Sequence, residues 1–234
     1  MTGSMKSAGR ADGMKCAIVT CSSLKEFVDA VQRRICSRYP VYVVDRLHHV
    51  EPERMKTVVR DCIAQIPKEY DTILIAMGFC GGVWDHVSFD RRIVIPRADD
   101  CVSVLLQTDD RYIPNRKEPG HLYLYESRPE DFSALSLMRD YACADPAFAG
   151  IDRELLFHMW FDNYRYMDII DTGENNCYDE AYVQAAQDNA DQIGASLGYV
   201  EGGTRMLEKL LTGRWDDQFL VAEPGHMIVH GDFF

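Results

Sequence analysis

Apolar positions along this chain fall into two alternating rhythms. Short unbroken apolar runs give way to stretches where apolar residues return every three or four positions, and then the runs resume. Residues 15–20, 41–45, 73–77 and 92–96 read as buried strands. Between them, Leu24, Phe27, Val28, Val31 and Ile35 mark one helical face. Met55, Val58, Val59, Cys62, Ile63 and Ile66 mark another. Ser23, with Glu26 three residues on, has the form of a capping box and predicts a helix starting just after Cys21. Pro52 suits the first position of the next helix, and Pro67 stops it. A further apolar face begins at 102–106. The second half continues less regularly, with strands expected at 121–125, 167–170, 197–200 and 219–222. Helices are expected at 131–141, 151–164 and 178–193. A last one is capped by Thr204, carries Met206, Leu207, Leu210 and Leu211, and ends at Gly213. This alternation predicts an α/β protein of mostly parallel sheets with helices on both faces, Rossmann-like. The bend at 113–120 is the expected seam between a first lobe (14–113) and a second (114–234) packed on it. Weak pseudo-repetition of the two lobes is left open by the pattern.

Charge narrows the classes of partner. With 37 acidic and 25 Lys and Arg residues, the formal net charge is −12. That argues against phosphate-backbone binding and against anionic membrane surfaces. No apolar run approaches the roughly 20 residues that span a bilayer. Residues 1–13, rich in Gly, Ser, Lys, Arg and Asp, lack the apolar stretch of a secretory signal and read as a disordered leader. A cytoplasmic protein acting on a small molecule is expected, with oligomerisation left open.

The candidate chemistry lies in the eight cysteines. None forms a C-x-x-C, so a zinc ribbon or thioredoxin motif is excluded by spacing, and a reducing cytoplasm disfavours disulfides. Cys16, Cys36 and Cys62 sit on apolar faces and read as packed side chains. Cys21, Cys80 and Cys101 differ: they follow the first, third and fourth strands, where a parallel sheet gathers its functional loops. Three converging thiolates would suit zinc or an iron–sulfur cluster, because soft sulfur favours both. Three protein ligands with one open position is the layout of a catalytic zinc, which is slightly favoured, and a [4Fe-4S] cluster with one exposed iron has the same protein stoichiometry. A fourth ligand could be water, a substrate thiol, His86 or Asp171. Ser22, Gly78, Gly81 and Gly82 flank the thiols and are the residues expected to line the bound group. The glycines would let the loops close around it.

Asp100 and Asp171 are the carboxylates expected at the rim, with acid or base work open to each. For Asp100 the competing reading is an N-cap for the helix after it. Asp171-Thr172-Gly173 has the aspartic-protease tripeptide, but that all-β fold needs two such carboxylates, so a protease is discarded. Gly78-Phe-Cys-Gly-Gly matches neither G-x-G-x-x-G nor the Walker pattern. His48 and His49 follow the second strand and read as loop residues, while Tyr164 and Arg165 are candidates to line a pocket.

Several of these stretches together resemble a known family. They are Thr20-Cys21, Gly78-x-Cys80-Gly81, Ile95-Pro96-Arg97-Ala98-x-Asp100-Cys101, Tyr166-x-Asp168 through Asp171-Thr172-Gly173, and Phe219-Leu-Val-x-x-Pro224-Gly225. The family is catalogued as domain of unknown function 1638, and the resemblance covers nearly everything after Met14. It implies a protein of anaerobic bacteria or methanogenic archaea, of a kind often encoded beside corrinoid methyltransferases. A part in one-carbon methyl transfer follows, with corrinoid methyltransferase components as candidate partners. The Asp-x-His-x-x-Gly cobalt-ligand motif is absent, so no covalently or His-ligated corrinoid is expected. Two readings result. One is a metalloenzyme whose Cys21, Cys80 and Cys101 hold zinc or a cluster that acts on a small substrate. The other is a non-catalytic accessory protein binding a metal, a cofactor or a methyltransferase partner.

Overall fold

The structure, a computed structural model, describes residues 14–50, 52–129, 132, 148 and 150–234. The expected leader, Cys143 and, Phe132 apart, the helix expected at 131–141 lie outside the described residues.

The apolar runs become the inner strands of a sheet. Strand β1 (Cys16–Cys21) is buried at every position, as is β3 (Thr72–Ala76). Such unbroken burial is what a parallel strand covered on both faces requires. Beside them lie β2 (Val41–Val44) and β4 (Arg92–Pro96), in the order β2-β1-β3-β4 and all parallel. Strand β8 (Phe219–Ala222) pairs antiparallel with β4 and completes the sheet from the far end of the sequence. Helix α1 (Lys25–Arg34) follows β1, and α2 (Pro52–Gln65) follows β2. The first crossover runs outward and the second returns, so right-handed connections set α1 and α2 on opposite faces. The short α3 (Cys101–Leu105) begins just beyond β4.

A second sheet follows the seam. Strands β5 (His121–Leu124), β6 (Tyr166–Asp171) and β7 (Ser196–Glu201) are parallel in that order. Helix α4 (Arg153–Phe161) precedes β6, and α5 (Glu180–Gln192) joins β6 to β7. Because strand side chains alternate, this sheet serves two cores. Leu124, Met167 and Ile169 pack with Tyr182, Ala186 and Ala190 of α5. Tyr125, Ile170 and Val200 face the other way and join the core of the first sheet. Helix α6 (Arg205–Thr212) then crosses back and buries Met206, Leu207, Leu210 and Leu211 against that core.

Two expected caps fail, and in both the hydroxyl has found another partner. Neither Cys21 nor Leu24 caps its helix through a side chain, and the first turn after β1 is a 3-10 turn, Ser22–Leu24. The Ser23 hydroxyl donates to Cys21 Sγ, and Glu26 pairs with Ser127 of the second lobe. Thr204 makes no side-chain cap; its hydroxyl accepts from Arg34 at 2.8 Å, tying α6 to α1. The C-terminal stop of α6 is as expected, with Gly213 left-handed at φ 77°.

Candidate functional site

With the order β2-β1-β3-β4, the chain leaves β1 towards one edge and β3 towards the other. The crevice between these two C-terminal ends is where open α/β sheets bind their ligands. Cys21 is the last residue of β1, and the β3 loop delivers Cys80 four residues after Ala76. Thr20 Oγ1 donates to the Ala76 carbonyl at 3.3 Å and fastens the two strand ends together.

The β3 and β4 loops are pressed against each other. The Phe79 and Cys80 amides donate to the Ala98 and Asp99 carbonyls, both at 2.7 Å. Gly78 is required by this approach: a Cβ there would stand 2.6 Å from the Asp100 Cα. The fully buried Trp84 holds the loop from below, its indole N–H on the Gly78 carbonyl at 2.8 Å. Cys80 then takes φ 50°, followed by Gly81 at 71° and Gly82 at 98°. The left-handed region costs a non-glycine residue roughly 1–2 kcal/mol, so Cys80 is held there by its surroundings. Asp100 is the N-cap of α3, accepting from the Ser103 amide at 2.8 Å. Its other oxygen pairs with Lys117, which also reaches Asp99 at 2.8 Å. Burial lowers the Lys117 pKa, but the Asp100 and Asp99 charges and bonds outweigh it and raise it overall.

The three expected cysteines are all buried at neighbouring strand ends: Cys21 is 0% exposed, Cys101 4% and Cys80 8%. Both Cys21 and Cys80 act on the Cys101 thiol. The bond from Cys21 favours its thiolate, but the bond to Cys80, burial, and the charges of Cys80 and Asp100 prevail. They hold the Cys101 thiol well above its ordinary range. Among the described residues, no set of three or more His, Cys, Asp or Glu side chains stands ready as a cation cage.

The second lobe supplies two residues that the sequence pattern did not single out. Tyr125, just past β5, is buried. Burial first, and then the charges of Glu126, Cys101 and Cys21, push it well above the usual tyrosine range. Glu126 is 6% exposed; it accepts from Arg46 at 3.3 Å and from the Tyr125 amide at 3.1 Å. Both residues follow β5, so the rule that selected the cysteines, chemistry at the C-terminal ends of parallel strands, would have found them too. Beside Ser23 a cleft of about 290 Å³ opens between the two lobes.

The other candidates are spread more widely. Ser22 faces this cleft, its hydroxyl accepting from the Arg46 amide at 2.9 Å. Asp171 ends β6, where its carboxylate accepts from the Tyr178 hydroxyl at 2.7 Å and the Gly173 amide at 3.0 Å. The Tyr178 bond first, then the Gly173 amide, hold it below the usual carboxylate range. Its cysteine neighbour is Cys177, not one of the three. His86 is exposed and lies 3.6 Å from Asp85. His48 is half-buried, and the side chain of His49 lies outside the described residues. Arg165 donates to the Tyr164 carbonyl at 2.9 Å.

Comparison with curated proteins gave no match, and comparison with solved structures gave none. A family model described as "Protein of unknown function (DUF1638)" matches residues 43–211. That range contains the Cys80 and Cys101 loops and Asp171, while Cys21 and β8 fall outside it. As the match spans well over half of the chain, the protein belongs to the DUF1638 family.

Proposed function

We propose that Cys21, Cys80 and Cys101 form a soft-metal site, for zinc or an iron–sulfur cluster, that serves an enzyme acting on a small substrate. The observation that supports this reading is the placement of three buried cysteines at three neighbouring strand ends, with Cys21 and Cys80 both acting on the Cys101 thiol. Three sulfur donors are the kind that soft metals favour. Because Cys101 is held protonated, loading would release protons and would tighten as pH rises. When bound, zinc would supply Lewis acidity or a lowered pKa for a water or thiol, and a cluster with an open iron would suit dehydration or electron delivery.

The protein's own residues have plainer roles. Gly78 lets the two loops close, and Lys117 and Asp100 fix the start of α3. Burial of the thiols and a polar cleft beside them favour an enzyme over an accessory protein, which would present an exposed cluster on an apolar surface. A place in anaerobic one-carbon metabolism, beside corrinoid methyltransferases, is proposed on the family resemblance alone.

Anaerobic purification followed by elemental analysis and a visible spectrum tests the reading. Zinc near one per chain without colour selects the single ion; brown absorbance with iron and sulfide selects the cluster. Full metal content in each of Cys21→Ala, Cys80→Ala and Cys101→Ala would sink the proposal.

A further inference from the structure

We propose that residues 226–234 form a strap that holds the Cys80 loop closed, and that its release is the opening step by which the thiols become reachable. For its purpose this rests on the thiol-site reading, but not for its test.

The grip of the segment is the first argument, because it takes hold of the β3 loop on both sides of Cys80. On the near side, His230, Phe233 and Phe234 surround the Phe79 ring, with centroids at 5.4, 4.8 and 5.5 Å. On the far side, the His86 amide donates to the Ile228 carbonyl and the Ile228 amide to the Val87 carbonyl, both at 2.8 Å. The His230 amide donates to Asp85 Oδ1, again at 2.8 Å. Cys80, Gly81 and Gly82, all at positive φ, lie between these two holds. A cysteine in the left-handed region stays there only while its surroundings over-determine it, and the strap supplies both flanks.

The same segment reaches the neighbouring loop. Arg97, just past β4, donates through Nε to the Asp232 carbonyl at 2.7 Å and stands 4.0 Å over the Tyr112 ring. The Tyr112 hydroxyl donates to the Phe233 carbonyl. The loops that carry Cys80 and Cys101 are thus pinned a second time, from outside.

Relative strength is the second argument. With all three cysteines buried, an ion or a small substrate reaches them only through a local opening. Strands β1, β3 and β4 each have a neighbour on both sides and are poor places for it. The strap has one isolated bridge, Val87 with Ile228, and one 3-10 turn, His230–Asp232. Ile228 and Phe233 are fully buried on its inner side, while Met227, Val229 and Phe234 are exposed. A segment with so few ladder bonds opens at lower free energy than the sheet beside it. When it leaves, Phe79 loses its aromatic partners. Cys80, the next residue and the most exposed of the three thiols, then loses what fixes its backbone.

Alkylation of the chelator-treated full chain by iodoacetamide, followed at each cysteine by peptide mass spectrometry, tests this. In the unmodified chain exposed Cys36 should react quickly and Cys80 slowly. Phe233→Ala should speed Cys80 about tenfold or more, leaving Cys16 and Cys177, buried in the two cores, unchanged. Phe233→Leu refills the space and should restore most of the protection. Arg97→Gln spares the aromatic cluster and should act in the same direction as Phe233→Ala, so it decides the matter if the latter does not fold. Met227→Ser, on the exposed side, should change nothing. An unchanged Cys80 rate in Arg97→Gln, or in a folded Phe233→Ala, would overturn the inference. So would a rise shared equally by Cys80 and Cys16, which is general loosening. Metal bound by the unmodified chain, with Cys80 unchanged in the variants, overturns the strap alone. Faster Cys80 labelling in the variants of a chain that takes no metal supports the strap while the metal reading falls.

Discussion

The parallel strands of the two sheets end in rims of the same topological kind, yet the rims are built differently. At the first, Cys21, Cys80 and Cys101 come from three strand ends, and the loops carrying Cys80 and Cys101 interlock. At the second, the turn after β6 satisfies itself. Asp171 accepts from the Gly173 amide, and Asn175 bonds both the amide and the hydroxyl of Thr172. Cys177 is buried beside it, with stacked Tyr178 and Tyr199 rings 5.2 Å apart. That turn also meets its neighbours, through the Gly202 amide on the Asp171 carbonyl at 3.0 Å and Arg34 on Glu174, but its polar side chains are largely spent on its own backbone. In the Cys80 loop the backbone is anchored to the next loop and, Trp84 apart, the side chains are not used in this way. Strand-end position alone therefore does not decide whether side chains there bond within their own turn.

Substitutions can break this contrast. The largest effect is expected on metal content. Cys80→Ala or Cys101→Ala should lose bound metal almost entirely, whereas Cys177→Ala should retain it, as elemental analysis of the three proteins would show. Next is the glycine pair. Gly78→Ala places a methyl 2.6 Å from the Asp100 backbone and should cost about 3 kcal/mol in urea unfolding. Gly173→Ala, at φ 71° with no atom within 4 Å, should cost only the left-handed strain, about 1 kcal/mol. Equal losses at the two positions would refute the interlocking of the first rim. Asp100→Ala removes the α3 cap and should cost about 1 kcal/mol.

The smallest effects distinguish the rims at opposite ends of the pH scale. Cys101 has a raised folded-state pKa, so above the ordinary thiol value near 9 the unfolded chain loses a proton that the folded one keeps. Its contribution is intact below that value and is lost as pH rises beyond it. Asp171 is lowered, chiefly by Tyr178, so its contribution is present above the ordinary carboxylate value and is lost as pH falls through the depressed one. Cys101→Val should therefore flatten the alkaline limb of a stability profile, and Asp171→Asn the acid limb. An alkaline limb unchanged in Cys101→Val would contradict the protonated, buried state of that thiol.

Most of the architecture was legible because burial leaves a periodic trace. The inner strands 92–96 and 73–77 were placed within a residue of β4 and β3, since a strand covered on both faces must be apolar throughout. The placement of Cys21, Cys80 and Cys101 at or just past strand ends was legible for a similar reason, as parallel topology collects strand ends on one side. What the pattern could not carry was any interaction decided by tertiary distance. Ser23 and Glu26 have the spacing of a capping box, but a thiol and a serine across the seam compete better for them. Glu126 reads as an ordinary loop carboxylate until the fold sets Arg46 opposite. The antiparallel return of β8 leaves no local mark either, because alternation of apolar residues does not encode strand direction.

That return has a consequence for how the protein is made. Pairing Ile93 with Ala222 closes a loop of 129 residues (222 − 93), for an entropic cost of roughly 4 kcal/mol by chain statistics. The second sheet lies inside that loop, and its pairs are far more local: Leu122 with Met167, and Met167 with Leu197. If the inserted sheet forms first, it shortens the effective loop and draws β8 towards β4. The edge of the first sheet is then the last part to be protected, and pulse-labelled hydrogen exchange should find the Leu220 amide slow to gain protection and that of Ile169 quick. The opposite order would mean that β8 finds its place before its neighbours in sequence have found theirs.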